Sequence, residues 1–140
     1  MSNIFEKLEI FNGFNDKQIK GIFKLGERKL IDKSENLFKT DDASRGLYIV
    51  LGGKFSAKYN GVTKYFTAGA VFSELSLFDD VKHKLTVNTE QKSQYFFLSK
   101  EKYEKLKESS PKFALKFQEN LLRYYLKKVE NLEKIFLEKK

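Results

Sequence analysis

The spacing of apolar residues changes twice along this chain. Through residue 26 it is helical: Ile4, Phe5, Leu8 and Phe11 share one face, with Ser2 or Asn3 placed to cap. Asn12-Gly13 breaks that run. Asp16 is placed to cap a second helix bearing Ile19, Ile22 and Phe23, and Gly26 suits its end. From Glu27 to Leu98 the period shortens to that of strands. Leu47–Leu51 predicts a short buried strand ending at Gly52-Gly53, and Phe55, Ala57 and Tyr59 then alternate with polar neighbours. Asn60-Gly61 predicts a type I′ turn, from which Val62–Phe66 returns. Leu85-Thr86-Val87 and Tyr95–Leu98 add further strands, and short strands this closely spaced predict a sandwich or jelly roll. Beyond Leu98 the helical period resumes. Ser99 can cap a short helix through Tyr103 and Leu106, and Ser110-Pro111 is a start signal for another. No breaker follows before Lys140, so that helix has room for about 28 residues, roughly 40 Å.

No linker, repeat or low-complexity stretch divides the chain. It reads as one domain over 1–140: N-terminal helices in 1–26, strands in 27–98 and C-terminal helices in 99–140. The longest apolar run, Leu47–Leu51, is far short of the about 20 residues of a membrane span, and charges at Glu6, Lys7 and Glu9 interrupt any signal-peptide core. The expectation is a cytoplasmic protein with no membrane partner. The formal charge of +8 is dispersed: residues 1–100 carry 16 basic and 12 acidic side chains, residues 101–140 carry 11 and seven. Only Arg28, Arg45 and Arg123 are arginines among 27 basic residues. Dispersed lysine is a solvated surface, so no sequence-specific DNA binding by this chain alone is expected.

Chemistry of the catalytic kind leaves little trace. No nucleophile elbow, phosphate loop or dinucleotide fingerprint is present. There is no cysteine, and His83 is the one histidine, so thiolate zinc and multi-histidine metal sites are excluded. Asp79-Asp80 reads as a solvated turn. The expectation is no catalytic residue, no metal and no required cofactor.

One stretch does stand out. Residues 69–87 run Gly-Ala-Val-Phe-Ser-Glu-Leu-Ser-Leu-Phe-Asp-Asp-Val-Lys-His-Lys-Leu-Thr-Val. This resembles the phosphate-binding cassette of the cyclic nucleotide-binding domain family, Gly-x-x-Phe-Gly-Glu-Leu-x-Leu followed by Arg-x-x-Thr-Val. Leu37-Phe38, Asp42 and Leu47–Leu51 with Gly53 resemble its second and third strands, so the likeness spans roughly residues 4 to 138. It implies an antiparallel β jelly roll, mainly β, with short N-terminal helices and a long C-terminal helix. It also implies cAMP or cGMP as a regulatory ligand. In such a cassette a helix amino terminus and an arginine fork hold the cyclic phosphate, while a glutamate accepts from the ribose 2′-hydroxyl. Gly69, Phe72, Glu74, Leu75, Leu77, Thr86 and Val87 match the pattern. Ser73 stands in place of the close-approach glycine, His83 in place of the arginine, and Asp41 in place of a loop glycine. Lys82 and Lys84 flank His83 as point charges. The ligand-binding candidates are therefore Phe72, Ser73, Glu74, Leu75, His83, Lys84, Leu85, Thr86 and Tyr125. Two readings stay open: a working ligand site, or a fold that keeps the cassette without the ligand.

In the last helix, Leu115, Leu122, Val129 and Phe136 recur every seven residues, with Gln118, Tyr125 and Leu132 between them. This is a coiled-coil seam, and it predicts a homodimer through residues 111–138. Phe113, Phe117, Leu121 and Tyr124 form a second face for the domain body. Lys128–Leu132 is similar to the dimerising helix of the catabolite-activator branch, and there the position matching Tyr125 reaches the purine. In that branch a helix-turn-helix domain follows. Here the chain stops at Lys140, and a stand-alone sensor module signalling through this helix is the expectation. The rivals are a dimer that binds no ligand and the sensory fragment of a DNA-binding regulator.

Overall fold

The structure, a computed structural model, describes residues 8–138. Ile4, Phe5 and the caps Ser2 and Asn3 lie outside the described residues. Of the first expected helix the described part is a 3₁₀ turn, Glu9–Phe11, that buries Ile10 and Phe11. Helix α1 (Asp16–Leu25) is capped by Asn15 and not by Asp16. The Asn15 side chain accepts from the Gln18 amide at 2.8 Å, and the Gln18 side chain accepts from the Asn15 amide at 2.9 Å. That reciprocal pair satisfies two orphan donors and leaves Asp16 in the first turn, where its charge suits the helix dipole. Gly26 ends α1 with extended φ, −93°. Glycine is needed there for space: a Cβ would stand 2.4 Å from the Phe96 ring and 2.6 Å from the Phe97 carbonyl.

Two antiparallel four-stranded sheets follow. The first orders β1 (Glu27–Ile31), β10 (Ser93–Ser99), β4 (Gly46–Gly52) and β7 (Val71–Phe72) side by side. The second orders β2 (Asn36–Phe38), β9 (Val87–Thr89), β5 (Phe55–Tyr59) and β6 (Val62–Phe66). A short ladder joins β3 (Ala43–Ser44) to β8 (Val81–Lys82). The β5–β6 hairpin turns at Asn60 and Gly61, both with positive φ (51° and 78°), as type I′ requires.

Between the sheets lie Val50, Phe55, Ala57 and Val87, with Ile31, Leu37, Phe38, Phe66, Phe72 and Tyr95 around them. The outer face of the first sheet (Leu47, Ile49, Val71, Phe96 and Leu98) packs on the helices. Because β4 is covered on both faces, Leu47–Leu51 reads as a continuous apolar run and not as an alternation.

Leu85 and Thr86, expected in a strand, stand outside β9. The backbone around them is fastened to the loop after β2 instead. His83 N–H donates to the Asp42 carbonyl, Asp41 N–H donates to the His83 carbonyl, and Thr40 N–H donates to Thr86 Oγ1, each at 2.9 Å.

Ser99 caps α2 (Lys100–Ser109), its hydroxyl accepting from the Lys102 amide at 3.1 Å. The last helix, α3 (Pro111–Glu138), runs 28 residues, and the Ser110 carbonyl accepts its first helical bond from Ala114. Ala114, Phe117 and Leu121 are buried against the body, with Phe113 and Tyr124 half-buried beside them. Buried Asn120 donates to the carbonyls of Ile10 and Asn12, which fastens α3 to the N-terminal turn.

Candidate functional site

The cassette begins where β7 ends. Phe72 closes the strand, Ser73 turns left-handed (φ 62°, ψ 36°), and the 3₁₀ turn Glu74–Leu77 follows. A left-handed serine costs about 1 kcal/mol that glycine avoids. Asp41 also has a positive φ, 72°. At both positions where the resemblance leads one to expect glycine, the backbone therefore keeps a glycine geometry without the residue. The hydroxyls of Ser76 and Ser44 hydrogen-bond and pin the turn to β3.

Glu74 is 5% exposed, and its Oε1 accepts from Lys128 Nζ of α3 at 2.9 Å. A buried carboxylate without a partner costs several kcal/mol, so this cation is what permits its burial. The Lys128 ammonium also lies 4.6 Å from the Tyr124 ring centroid.

His83 is likewise 5% exposed. Its Nδ1 lies 3.2 Å from Ser73 Oγ, and its ring stacks on Phe38 at 3.7 Å, nearly parallel. Burial pushes its pKa below the ordinary 6.5, with Asp42 opposing, so the imidazole is neutral at pH 7. Lys82 and Lys84 are both exposed to either side of it, so neither joins the inward-facing set.

Aromatic rings fill the space around His83. Phe72 meets Phe38 and Phe66 edge-on, at 5.8 and 4.8 Å. A cavity of about 310 Å³ opens beside His83 and Phe38, lined also by Tyr48, Tyr95, Phe97 and Asp42, with Lys29 and Arg45 at its edge. Burial holds the Tyr48 phenol up at about 12, a neutral hydrogen-bond donor. Two outer concavities, of about 390 and 410 Å³, carry none of the ligand-binding candidates.

The structure thus gathers Phe72, Ser73 and His83 at one end of the cassette and sets Glu74 against α3. Leu75 and Leu85 are half-buried, and the Thr86 hydroxyl is engaged with Thr40. Tyr125 is half-buried on α3, next to the Tyr124 that lies under Lys128. Two residues central to this geometry escaped sequence reasoning: Lys128 as the partner of Glu74, and Phe38 as the platform of His83. Among the described residues no cluster suits a metal ion, and no helix is long and apolar enough to cross a membrane.

The model of the cyclic nucleotide-binding domain matches residues 28–110. A cyclic nucleotide-binding domain from Methylobacillus flagellatus superposes with a TM-score of 0.80 at 19% identity, covering 98% of this chain and 84% of that one. The N-terminal domain of a transcriptional regulator from Streptomyces coelicolor gives 0.78 at 18%, covering 91% and 95%. Catabolite activator protein from Thermus thermophilus gives 0.74 at 21%, covering 93% of this chain but only 63% of that one. These likenesses establish a mainly antiparallel jelly roll with flanking helices. No curated protein sequence matches the chain.

Proposed function

The chain belongs to the cyclic nucleotide-binding domain family, and on that premise we propose that it is a non-enzymatic sensor whose cassette takes cAMP or cGMP and signals through the C-terminal helix of a homodimer. The observation that carries this reading is the contact between cassette and helix. Glu74, the residue matching the family's ribose contact, is held by Lys128, and Lys128 belongs to the helix with the exposed apolar seam. A change at the carboxylate therefore reaches the proposed dimer surface within one ion pair. A chain with no cysteine suits a reducing, cytoplasmic compartment.

The affinity is expected to be low. A neutral His83 in the arginine's place forfeits a charge-assisted bond of about 1.5–3 kcal/mol, one to two decades in Kd. A second reading, a dimer that binds no ligand, draws support from the same site. Phe38 covers the His83 ring, and Lys128 occupies Glu74, so both polar ends of the cassette are already satisfied. Calorimetric titration with cAMP and with cGMP separates the two. Saturable heat with either nucleotide supports the sensor, and none with both leaves the ligand-free dimer.

A further inference from the structure

His83 is a wall shared by two spaces. Its Nδ1 edge meets Ser73 Oγ, 3.2 Å away in the cassette. The ring also lines the cavity of about 310 Å³, whose lining includes neither Ser73 nor Glu74. That cavity draws on elements the cassette does not use: Lys29 on β1, Arg45 between β3 and β4, Tyr48 on β4, and Tyr95 and Phe97 on β10. Register explains the gathering. Tyr48 pairs with Phe97 and Val50 with Tyr95, so all four side chains leave one face of the first sheet. The Tyr48 ring centroid lies 4.9 Å from Phe97, 5.2 Å from Phe38 and 5.8 Å from Tyr95.

Three polar groups of this lining have no hydrogen-bond partner among the described residues: His83 Nε2 and the phenols of Tyr48 and Tyr95. His83 is 5% exposed, yet no described side-chain nitrogen or oxygen is both fully buried and unpaired, so Nε2 reaches open space where its ring lines the cavity. A hydroxyl donating to Nδ1 leaves the ring proton on Nε2, and the Tyr48 phenol, pushed up to about 12 by burial, is a donor too. Of the cations, Lys29 is shared with Glu27 at 3.3 Å, while Arg45 has no ion pair among the described residues. Asp42 is the one carboxylate of the lining. Two cations against that acid leave charge for a single anionic group.

We propose that this cavity is a second ligand site, taking a small aromatic monocarboxylate whose ring lies among Phe38, Tyr48 and Phe97 and whose carboxylate is held by Arg45 and the tyrosine hydroxyls. The proposal does not rest on the cyclic-nucleotide reading of the cassette. Aromatic walls favour a flat ring through edge and face contacts that a puckered ring of equal size does not make. Unpaired donors call for an acceptor-only group, and a carboxylate takes two parallel bonds from a guanidinium. A volume of about 310 Å³ is at the low end for ligand pockets and suits a single ring.

Benzoate titrated into the isotope-labelled full chain, followed by amide chemical shifts, tests this. Saturable shifts are expected at residues 42–48 and 95–97, with a Kd of about 1 mM or lower. Arg45→Gln should weaken binding about tenfold or more, and Tyr48→Phe, which keeps the ring, about threefold. Cyclohexanecarboxylate, equal in charge but puckered, should bind about threefold or more weakly than benzoate. No saturable shift at those residues overturns the site. Shifts centred on Glu74 and Lys128 overturn it too, because they put the acid in the cassette. Unchanged affinity in Arg45→Gln overturns the carboxylate contact, and equal binding of cyclohexanecarboxylate overturns the aromatic selection. Should Arg45→Gln disturb the fold, Tyr48→Phe reads the same contact, and unchanged affinity there overturns it.

Discussion

His83 carries two separable consequences of one burial. Its neutral ring sits in the arginine's place, stacked on Phe38 and 3.2 Å from the Ser73 hydroxyl. Replacing it by arginine puts a permanent cation there, and a guanidinium can keep the stack while offering a fork to a cyclic phosphate. His83→Arg should therefore tighten cAMP or cGMP binding about tenfold or more by calorimetry, while the unliganded protein loses stability from the added buried charge. The second consequence is a pH dependence. Burial holds the folded pKa below 6.5, so the unfolded chain takes up a proton as pH falls through 6.5 while the folded one does not. Where the unfolded state binds more protons, stability rises with pH, so it must fall on acidification until the folded ring itself titrates. As the one histidine, His83 accounts for any such loss between about pH 7 and 5.5, above the range where carboxylates protonate. Urea unfolding across that range should show the loss in the wild type and a flat profile in His83→Gln. Equal slopes in the two proteins would show that the imidazole takes up its proton as readily in the folded state as in the unfolded chain.

Gly26 marks the junction of α1 with the first sheet, and its lack of a side chain is what lets the helix end lie against β10. Gly26→Ala drives a Cβ into the Phe96 ring and the Phe97 carbonyl, one of them backbone that cannot swing away. A loss of about 1–3 kcal/mol is expected, read as a lowered urea midpoint at constant slope. Signals confined to a few neighbouring residues were legible without the structure: the Asn60-Gly61 hairpin, the Ser99 cap and the Pro111 start all stand where local chemistry put them. Elements made by distant partners were not. β1 carries Glu27, Arg28, Lys29 and Leu30, all exposed, and it is a strand only because β10 pairs with it. β3, β7 and β8 have two residues each, too few to show any period. Leu85 and Thr86 look like strand residues, yet their stretch is bonded to the loop at 40–42. The cassette was found by resemblance because its residues are consecutive. Its partners Phe38 and Lys128 lie 45 positions either before His83 or after it, a separation no spacing rule spans.

Over the whole molecule, apolar surface is left uncovered most conspicuously along α3. Leu115, Leu122, Leu126 and Leu132 are 51–66% exposed, although the buried face of the same helix already serves the body. Val129 and Tyr125 are half-buried between them, and Gln118 is exposed. Leu115, Leu122 and Val129 at seven-residue spacing, with Leu132 in the alternate seam position, on a 28-residue helix make a stripe that a second copy of the helix covers, by knobs into holes. Covering each leucine contributes up to about 1.5–3 kcal/mol, from which association and ordering costs subtract. The net charge of +8 does not oppose this, because the residues of the seam itself are uncharged and lysines lie to its sides. In a two-fold dimer of parallel helices each seam residue faces its own copy, so one substitution acts twice. Val129→Lys/Leu132→Lys sets four ammonium groups around the axis, in an interface with no acid at seam positions to receive them. The wild type should sediment as a dimer at micromolar concentration, and the double variant as a monomer with unchanged circular dichroism in the sheet region. Because α3 also carries Lys128, separating the dimer should alter amide protection at the cassette. A wild-type monomer would leave the seam without a second copy and confine any signal to the chain's own helix.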